Sequence, residues 1–270
     1  MSGKVIGVIS IKGGVGKTTV VSNLATALAK QGKKVLAIDA NFSAPNLGLH
    51  VGVVNKENTL HEVIAGKIDA KAAIYQHDLG FDIMPARLLP IKNIDPLRLK
   101  RKIWALKNLY DFILIDSSPN LNEEMAATMA ASDELIVVSS PDYPTLSCTM
   151  RAVKIAKDKR VPITGLVLNR VRNRKYELTL EEVEDAAETP VVGLMPEDEK
   201  VLESLSQTKP VVLFSPSRDV SVEYKKLASA IAGRKYKDRR IWSGIRNFLL
   251  TDNFSKVDVN REVVRENRKK

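Results

Sequence analysis

Short apolar runs alternate along the chain with longer stretches of helical periodicity. The runs KVIGVIS (4–10), KKVLAID (33–39), FDIMPA (81–86), YDFILID (110–116), DELIVVSS (133–140), ITGLVLNR (163–170) and PVVGLMP (190–196) read as strands. Val, Ile and Leu fill neighbouring positions in them with little polar alternation, the pattern of strands covered on both faces. Most of the intervening segments carry apolar residues at helical spacing. Two examples are Lys17–Gln31, stopped by Gly32, and Asp219–Ala232, stopped by Gly233. Strand–helix–strand repetition predicts an α/β fold, a mostly parallel twisted sheet with helices on both faces. No internal repeat or low-complexity segment interrupts it.

Composition changes this picture at one place. The chain has 270 residues, 44% of them hydrophobic, enough for one sizeable core or two small domains. Its net charge is +10, but residues 234–270 hold 12 Lys/Arg and 5 Asp/Glu, which leaves +3 on the body and +7 on the tail. A boundary therefore falls near Gly233, between a domain at 1–233 and a basic extension at 234–270. A basic tail on a near-neutral body implies an acidic partner: anionic lipid, nucleic acid or an acidic protein. A solvated tail that aids solubility would have the same composition.

Other classes drop out. The single cysteine, Cys148, forms no internal disulfide and cannot hold a metal or an iron–sulfur cluster alone, which fits a reducing cytosol and equally a cysteine-poor secreted protein. Met1 leads almost directly into a strand-like run without a signal-peptide pattern. Nothing approaches the roughly 18-residue apolar run of a membrane span. His50, His61 and His77 lie far from any fitting ligand cluster, and His61 is expected to cap a helix or face solvent.

The stretch VISIKGGVGKTTVVSN (8–23) carries the chemistry. The ordinary phosphate-binding loop is G-x-x-x-x-G-K-[ST]. Gly16, Lys17 and Thr18 match its end, but the leading glycine would fall on Ile11. The physics survives the mismatch. Gly13, Gly14 and Gly16 let the backbone curl its N–H groups toward phosphate oxygens. A helix starting at Lys17 adds its positive end. Lys17 can reach the outer phosphates, and the Thr18 hydroxyl suits Mg²⁺. Lys12 remains unexplained, because most such loops have no charge at the front.

KGGVGKTT (12–19) resembles the deviant Walker A motif of the MinD/ParA family of P-loop ATPases. The resemblance runs from about residue 3 to 232 and is nearest to archaeal MinD homologues. It implies ATP/ADP and Mg²⁺ as cofactors, with Gly13, Gly14, Val15, Gly16, Lys17, Thr18 and Thr19 cradling the phosphates. It also implies an ATP-dependent homodimer in which Lys12 touches the partner's nucleotide, as an arginine finger does. VLAIDANFSAPNLGLHVGV (35–53) is similar to the second strand and first switch, where Asp39 would bind Mg²⁺ through water. FILIDSSPNL (112–121) is similar to the Walker B strand and second switch, where Asp116 would join Thr18 around the metal. VLNRV (167–171) resembles the adenine-contacting element, with Asn169 reading the base edge beside Arg170. MPEDEKVLESLSQTKPVV (195–212) resembles the adenine-side loop, with Pro196, Glu197 and Asp198 nearby.

Two positions depart from the family pattern. Asn41 stands where the family usually has a second Asp that activates the attacking water. Its carbonyl can orient water but cannot take a proton, and general acid–base help is worth roughly 10²–10⁴-fold. With Lys12, Lys17, Asn41 and Asp116 as the implied catalytic set, slow hydrolysis and a long-lived ATP dimer follow. Asn120 stands where the family often has Gly, and Asn tolerates left-handed backbone.

In KDRRIWSGIRNFLL (237–250), Ile241, Trp242, Ile245, Phe248 and Leu249 fall on one face at about 100° per residue. Ser243, Arg246 and Asn247 lie opposite. A short amphipathic helix at about 239–250 is predicted, suited to an anionic membrane surface or to a protein surface. Gly244 weakens it by roughly 1 kcal/mol relative to Ala, and residues 251–270 still follow.

The function implied is an ATP-dependent dimerising switch of MinD type. It would be cytoplasmic, peripheral on the inner face of the cell membrane where the tail docks there, and answerable to an activating protein. A non-hydrolysing ATP-binding scaffold stays open because of Asn41. So does a ParA-like DNA or cargo-positioning ATPase, with DNA the less favoured partner and its binding steeply salt-dependent.

Overall fold

A computed structural model of the chain describes residues 2–88, 94–236 and Asp238. In chain order the elements are β1 (Lys4–Ile9), α1 (Lys17–Lys30), β2 (Val35–Ala40), α2 (Leu47–His50), α3 (Leu60–Ile64), β3 (Tyr75–Gln76), β4 (Asp82–Met84), α4 (Leu99–Ile103) and β5 (Phe112–Ser117). They continue with α5 (Glu123–Ala131), β6 (Glu134–Ser139), α6 (Tyr143–Asp158), β7 (Ile163–Val171), α7 (Leu180–Ala187), β8 (Val191–Pro196), α8 (Glu199–Ser206), α9 (Val211–Phe214) and α10 (Asp219–Ile231). Short 3₁₀ turns at Ala70–Ala73, Pro96–Arg98 and Trp104–Asn108 complete them.

Eight strands form one sheet in the order β3-β4-β2-β5-β1-β6-β7-β8. Every described pairing is parallel except the β3–β4 edge. Each strand anticipated from an apolar run is present, with ends moved by at most two residues. The two-residue β3 was not anticipated, because Tyr75–Gln76 has no apolar run and pairs only as an antiparallel edge.

Both faces are covered. Ile6 and Val8 of β1 point into one layer with Val20, Leu24 and Leu28 of α1 and Tyr224 and Leu227 of α10. Val5 and Ile9 point the other way, Val5 toward Leu60, Leu99 and Ala127, Ile9 toward Met125, Val137 and Val153. This period-two split explains the lack of polar alternation: neither face meets water. Full burial of each such Leu or Ile contributes roughly 1.5–3 kcal/mol.

The parallel arrangement gives the sheet two unlike edges. The loop after β1 and the ends of β2, β5, β6, β7 and β8 gather at the carboxyl edge, where open α/β sheets bind ligands. At the amino edge the Gly3 N–H donates to Lys107 C=O at 2.7 Å, and the Asp111 N–H donates to Lys34 C=O at 2.8 Å. The chain leaves the domain there too: Arg234 Nη1 donates to Gln31 C=O at 3.2 Å. Apart from 234–236 and Asp238, the basic extension and its predicted helix at 239–250 lie outside the described residues. Among the described residues no helix is long and apolar enough to cross a membrane.

Candidate functional site

The loop between β1 and α1 turns sharply at Gly16, whose φ is +97°. A Cβ at Gly16 would stand 2.2 Å from Asn169 Nδ2, so glycine is required for both backbone and packing. Asn169, at the end of β7, donates from Nδ2 to Val15 C=O at 2.7 Å. It props the loop from behind. Gly13 and Gly14 are exposed at the lip of the loop, while Val15 is buried beneath it.

Lys17 opens α1 and is buried, 7% exposed. Burial lowers its pKa, and the nearby Asp116 charge works against that shift. Asp39 and Asp116 end neighbouring strands in register. Burial first, then the Asp116 charge, push Asp39 well above the usual carboxylate range. Its three backbone donors oppose this: the Asn41 N–H at 3.2 Å, Asn46 at 3.0 Å and Leu47 at 2.9 Å. Burial also raises Asp116, against the Thr18 hydroxyl and the Lys17 charge that favour its ionised form.

One oxygen of Asp116, Oδ1, is buried without a hydrogen-bond partner. Leaving a buried acceptor unmade costs about 1–3 kcal/mol. Two buried carboxylates side by side, a hydroxyl and an unfilled acceptor fit a divalent cation. Among the described residues no three His, Cys, Asp or Glu side chains converge into a self-sufficient metal site. That also fits Mg²⁺, which takes one or two carboxylates and draws its other oxygens from water and phosphate.

Lys12 stands apart from Lys17. Its Nζ donates to Thr145 Oγ1 at 2.6 Å and to Asp142 Oδ1 at 3.3 Å, and the side chain is 40% exposed. Asp142 caps α6 by accepting from the Thr145 N–H at 2.9 Å. Burial works against its ionisation, but hydrogen bonds from Ser140, Thr145 and Lys12 bring its pKa down to about 2. The sequence shows Asp142 only as a helix start before Tyr143–Pro144; its contact with Lys12 spans 130 positions.

The first switch is closed on itself. The Asn41 side chain donates to Ala44 C=O at 2.5 Å and accepts from the Ala44 N–H at 3.3 Å. Asn120 has φ +71°, the left-handed backbone anticipated for it. Ser43 donates to Glu124 on the first turn of α5, tying the two switch segments together, and the other Glu124 oxygen is buried without a partner. Sequence alone did not single out Ser43 or Glu124. His61 corrects an expectation: it neither caps nor faces solvent. It is 1% exposed, accepts from the Arg87 N–H at 3.0 Å and packs edge-on against Phe42. Thr59, not His61, caps α3.

On the β8 side, Pro196 pairs with Val171, which places the loop beside Asn169 and Arg170. The carboxylates there are already engaged. Glu197 pairs with Arg172, and Asp198 accepts from Arg218 at 2.8 and 3.0 Å while capping α8. Any contact of Glu197 or Asp198 with a base therefore falls to their backbone.

A parallel sheet with a lysine-bearing glycine loop between its central strand and first helix, facing two strand-end aspartates, defines a P-loop nucleotide-binding protein. Residues 6–211 match the pattern described as "CobQ/CobB/MinD/ParA nucleotide binding domain". The chain belongs to that family. An uncharacterized ATP-binding protein of Methanocaldococcus jannaschii is 35% identical over 234 residues, covering 86% of this chain and 89% of that one. The cell division ATPase MinD of Pyrococcus furiosus superposes with a TM-score of 0.81 at 33% identity, over 86% of this chain and 99% of that one. The septum site-determining protein MinD of Pyrococcus horikoshii, solved with Mg-ADP, superposes with a TM-score of 0.79 at 33% identity, over 84% of this chain and 95% of that one.

Proposed function

We propose that the chain is a slow ATPase that works as a switch: it binds ATP with Mg²⁺, dimerises, and answers to an activating protein. The different placement of its two loop lysines carries the reading. Lys17 is buried beside Asp116, where a phosphate would offset the cost of burying its charge. Lys12 turns outward to α6 and makes its side-chain bonds there. A lysine so placed can serve a nucleotide held by a second copy once Asp142 and Thr145 release it.

Gly13 to Thr19 would cradle the phosphates through backbone N–H groups and the Lys17 ammonium. Thr18, Asp116 and, through water, Asp39 would hold Mg²⁺, whose charge would neutralise the outer phosphates. Asn169 and Arg170, with the backbone of Pro196 to Asp198, would line the base side. Asn41 cannot accept a proton, and its amide is spent on Ala44, so turnover is slow and the ATP state long-lived. The basic extension would then direct the dimer to an anionic membrane surface, two weak tails gaining from effective concentration.

The test is molar mass by light scattering in ATP and in ADP, beside phosphate release. A dimer in ATP, a monomer in ADP, and a Lys12→Ala chain that binds ATP yet stays monomeric are the expected results. A monomer in ATP at every concentration would overturn the reading. A scaffold without hydrolysis is the second reading, favoured by Asn41, and phosphate release no faster than buffer would select it.

A further inference from the structure

The described domain carries an exposed surface that nucleotide chemistry does not use. From Pro96 to Asn108 the chain runs through a 3₁₀ turn, α4 and a second 3₁₀ turn. Leu99, Ile103 and Leu106 point into the core. The outward positions recur three and four residues apart: Leu97, Lys100, Arg101, Trp104 and Ala105. Leu97 is 57% exposed and Trp104 is 61% exposed. Residues 94–109 hold five Lys/Arg and one Asp, and that Asp95 is paired with Arg98 at 3.5 Å.

The indole is held in place rather than left free. Lys107 lies over one face of the Trp104 ring, 5.0 Å from its centroid. Lys107 is in turn anchored by two 2.8 Å bonds to Asp133. The side chain still stays largely open to solvent. A large apolar side chain presented this way, beside Leu97 and ringed by cations, is a costly thing to keep in water. A Trp with an apolar body and a polar N–H suits the boundary between acyl chains and headgroups.

The position of the stripe matters as much as its composition. Lys107 C=O is bonded to the Gly3 N–H at the amino edge of the sheet. The basic extension departs from that same edge, where Arg234 bonds Gln31. Lys30, Lys225, Arg234, Lys235 and Tyr236 line a basic cleft there. The nucleotide loop lies at the opposite edge. A flat anionic surface can meet the stripe and the root of the tail together without covering the loop.

We propose that the Leu97–Trp104 stripe is a lipid-docking surface of the folded domain, Trp104 and Leu97 entering an anionic bilayer interface and Lys100 and Arg101 meeting its phosphates. Basic residues at such a surface strengthen attachment, so the stripe adds to a weak tail contact and sets the orientation of the domain. The proposal rests on the lipid reading of the extension for its ligand, but its own residues can be tested separately.

The chain has two tryptophans, so the full-length Trp242→Phe protein reports Trp104 alone. Vesicles of phosphatidylglycerol and phosphatidylcholine in equal parts should shift its emission to the blue, and brominated acyl chains should quench it. Pure phosphatidylcholine vesicles should do neither. Lys100→Glu with Arg101→Glu should weaken vesicle binding at least about tenfold with ATP turnover unchanged, and Trp104→Ala should weaken it too. Emission that stays unmoved and unquenched while the protein still pellets with vesicles would overturn this proposal and leave the tail reading intact. Failure of the unsubstituted protein to pellet at all would overturn both. A Trp104 response to duplex DNA or an acidic polypeptide, with vesicles silent, would overturn the lipid assignment in favour of that partner.

Discussion

Asn41 is the residue on which the proposed slow turnover rests. Its amide donates to and accepts from Ala44, a pairing that an Asp cannot copy because it has no N–H to offer the Ala44 carbonyl. Asn41→Asp therefore does two things: it supplies a proton acceptor and loosens the turn at 41–44. Phosphate release should rise by roughly tenfold or more if the carboxylate reaches the attacking water. Equal turnover in both chains would show that another group positions that water. Asp142 makes a pH-dependent contribution that can be isolated with Asp142→Asn, since Asn caps a helix as well as Asp does. The folded carboxyl has its pKa lowered to about 2. Its contribution is thus present above the unfolded pKa and is lost as pH falls through the folded one. The native chain should be more stable than Asp142→Asn near neutrality by up to about 1 kcal/mol, as befits a half-exposed pair. Denaturation curves of the two should converge between about pH 4 and pH 2.

The glycine loop and the α5 turn are the elements whose geometry is least forgiving. Gly16→Ala would force a Cβ against Asn169 and hold a side chain at φ +97°, at a cost of about 1–2 kcal/mol for the left-handed backbone alone. The Asn169–Val15 bond would break with it. ATP affinity, read by calorimetry, should fall at least about tenfold for each 1.4 kcal/mol so lost. Asn122 caps α5 by accepting from the Met125 N–H at 2.9 Å, and it also accepts from the Ser118 hydroxyl at 2.9 Å. Asn122→Ala should cost about 1 kcal/mol and lower Tm by roughly 2–4 °C. These elements also show what the sequence could reveal. The parallel strands were legible because both faces are dry, and the loop was legible because glycine and lysine spacing is set locally. Asp39 and Asp116 were legible as residues ending apolar strands. The Lys12–Asp142 and Ser43–Glu124 contacts were not, because each joins segments 130 and 81 positions apart and depends on how two loops pack. His61 misled for a related reason. Its neighbours Phe42 and Arg87 come from distant segments that bury it, so a polar residue on a helix start looked solvent-facing.

At the scale of the molecule, the proposed boundary near Gly233 can be tested by truncation. Among the described residues the three apolar clusters run from Val5 to Ile231, and no cluster residue lies beyond Ala232. The last helix, α10, sits against α1, with Tyr224 and Leu227 fully buried between them. Cutting into α10 would therefore open the core, whereas ending the chain at Tyr236 would remove none of these contacts. A chain ending at residue 236 should keep its ATP affinity and its Tm to within about 4 °C, the shift expected from roughly 1 kcal/mol in a domain of this size. The same cut removes most of the charge asymmetry. Of the +7 on residues 234–270, Arg234 and Lys235 would stay, leaving +5 to go with the tail. On the proposed reading, dimerisation in ATP uses the carboxyl edge and should survive the cut, while attachment to an anionic surface should weaken. A truncated chain that no longer dimerises in ATP would place part of the dimer contact in the extension. It would also move the boundary of the working unit beyond Gly233.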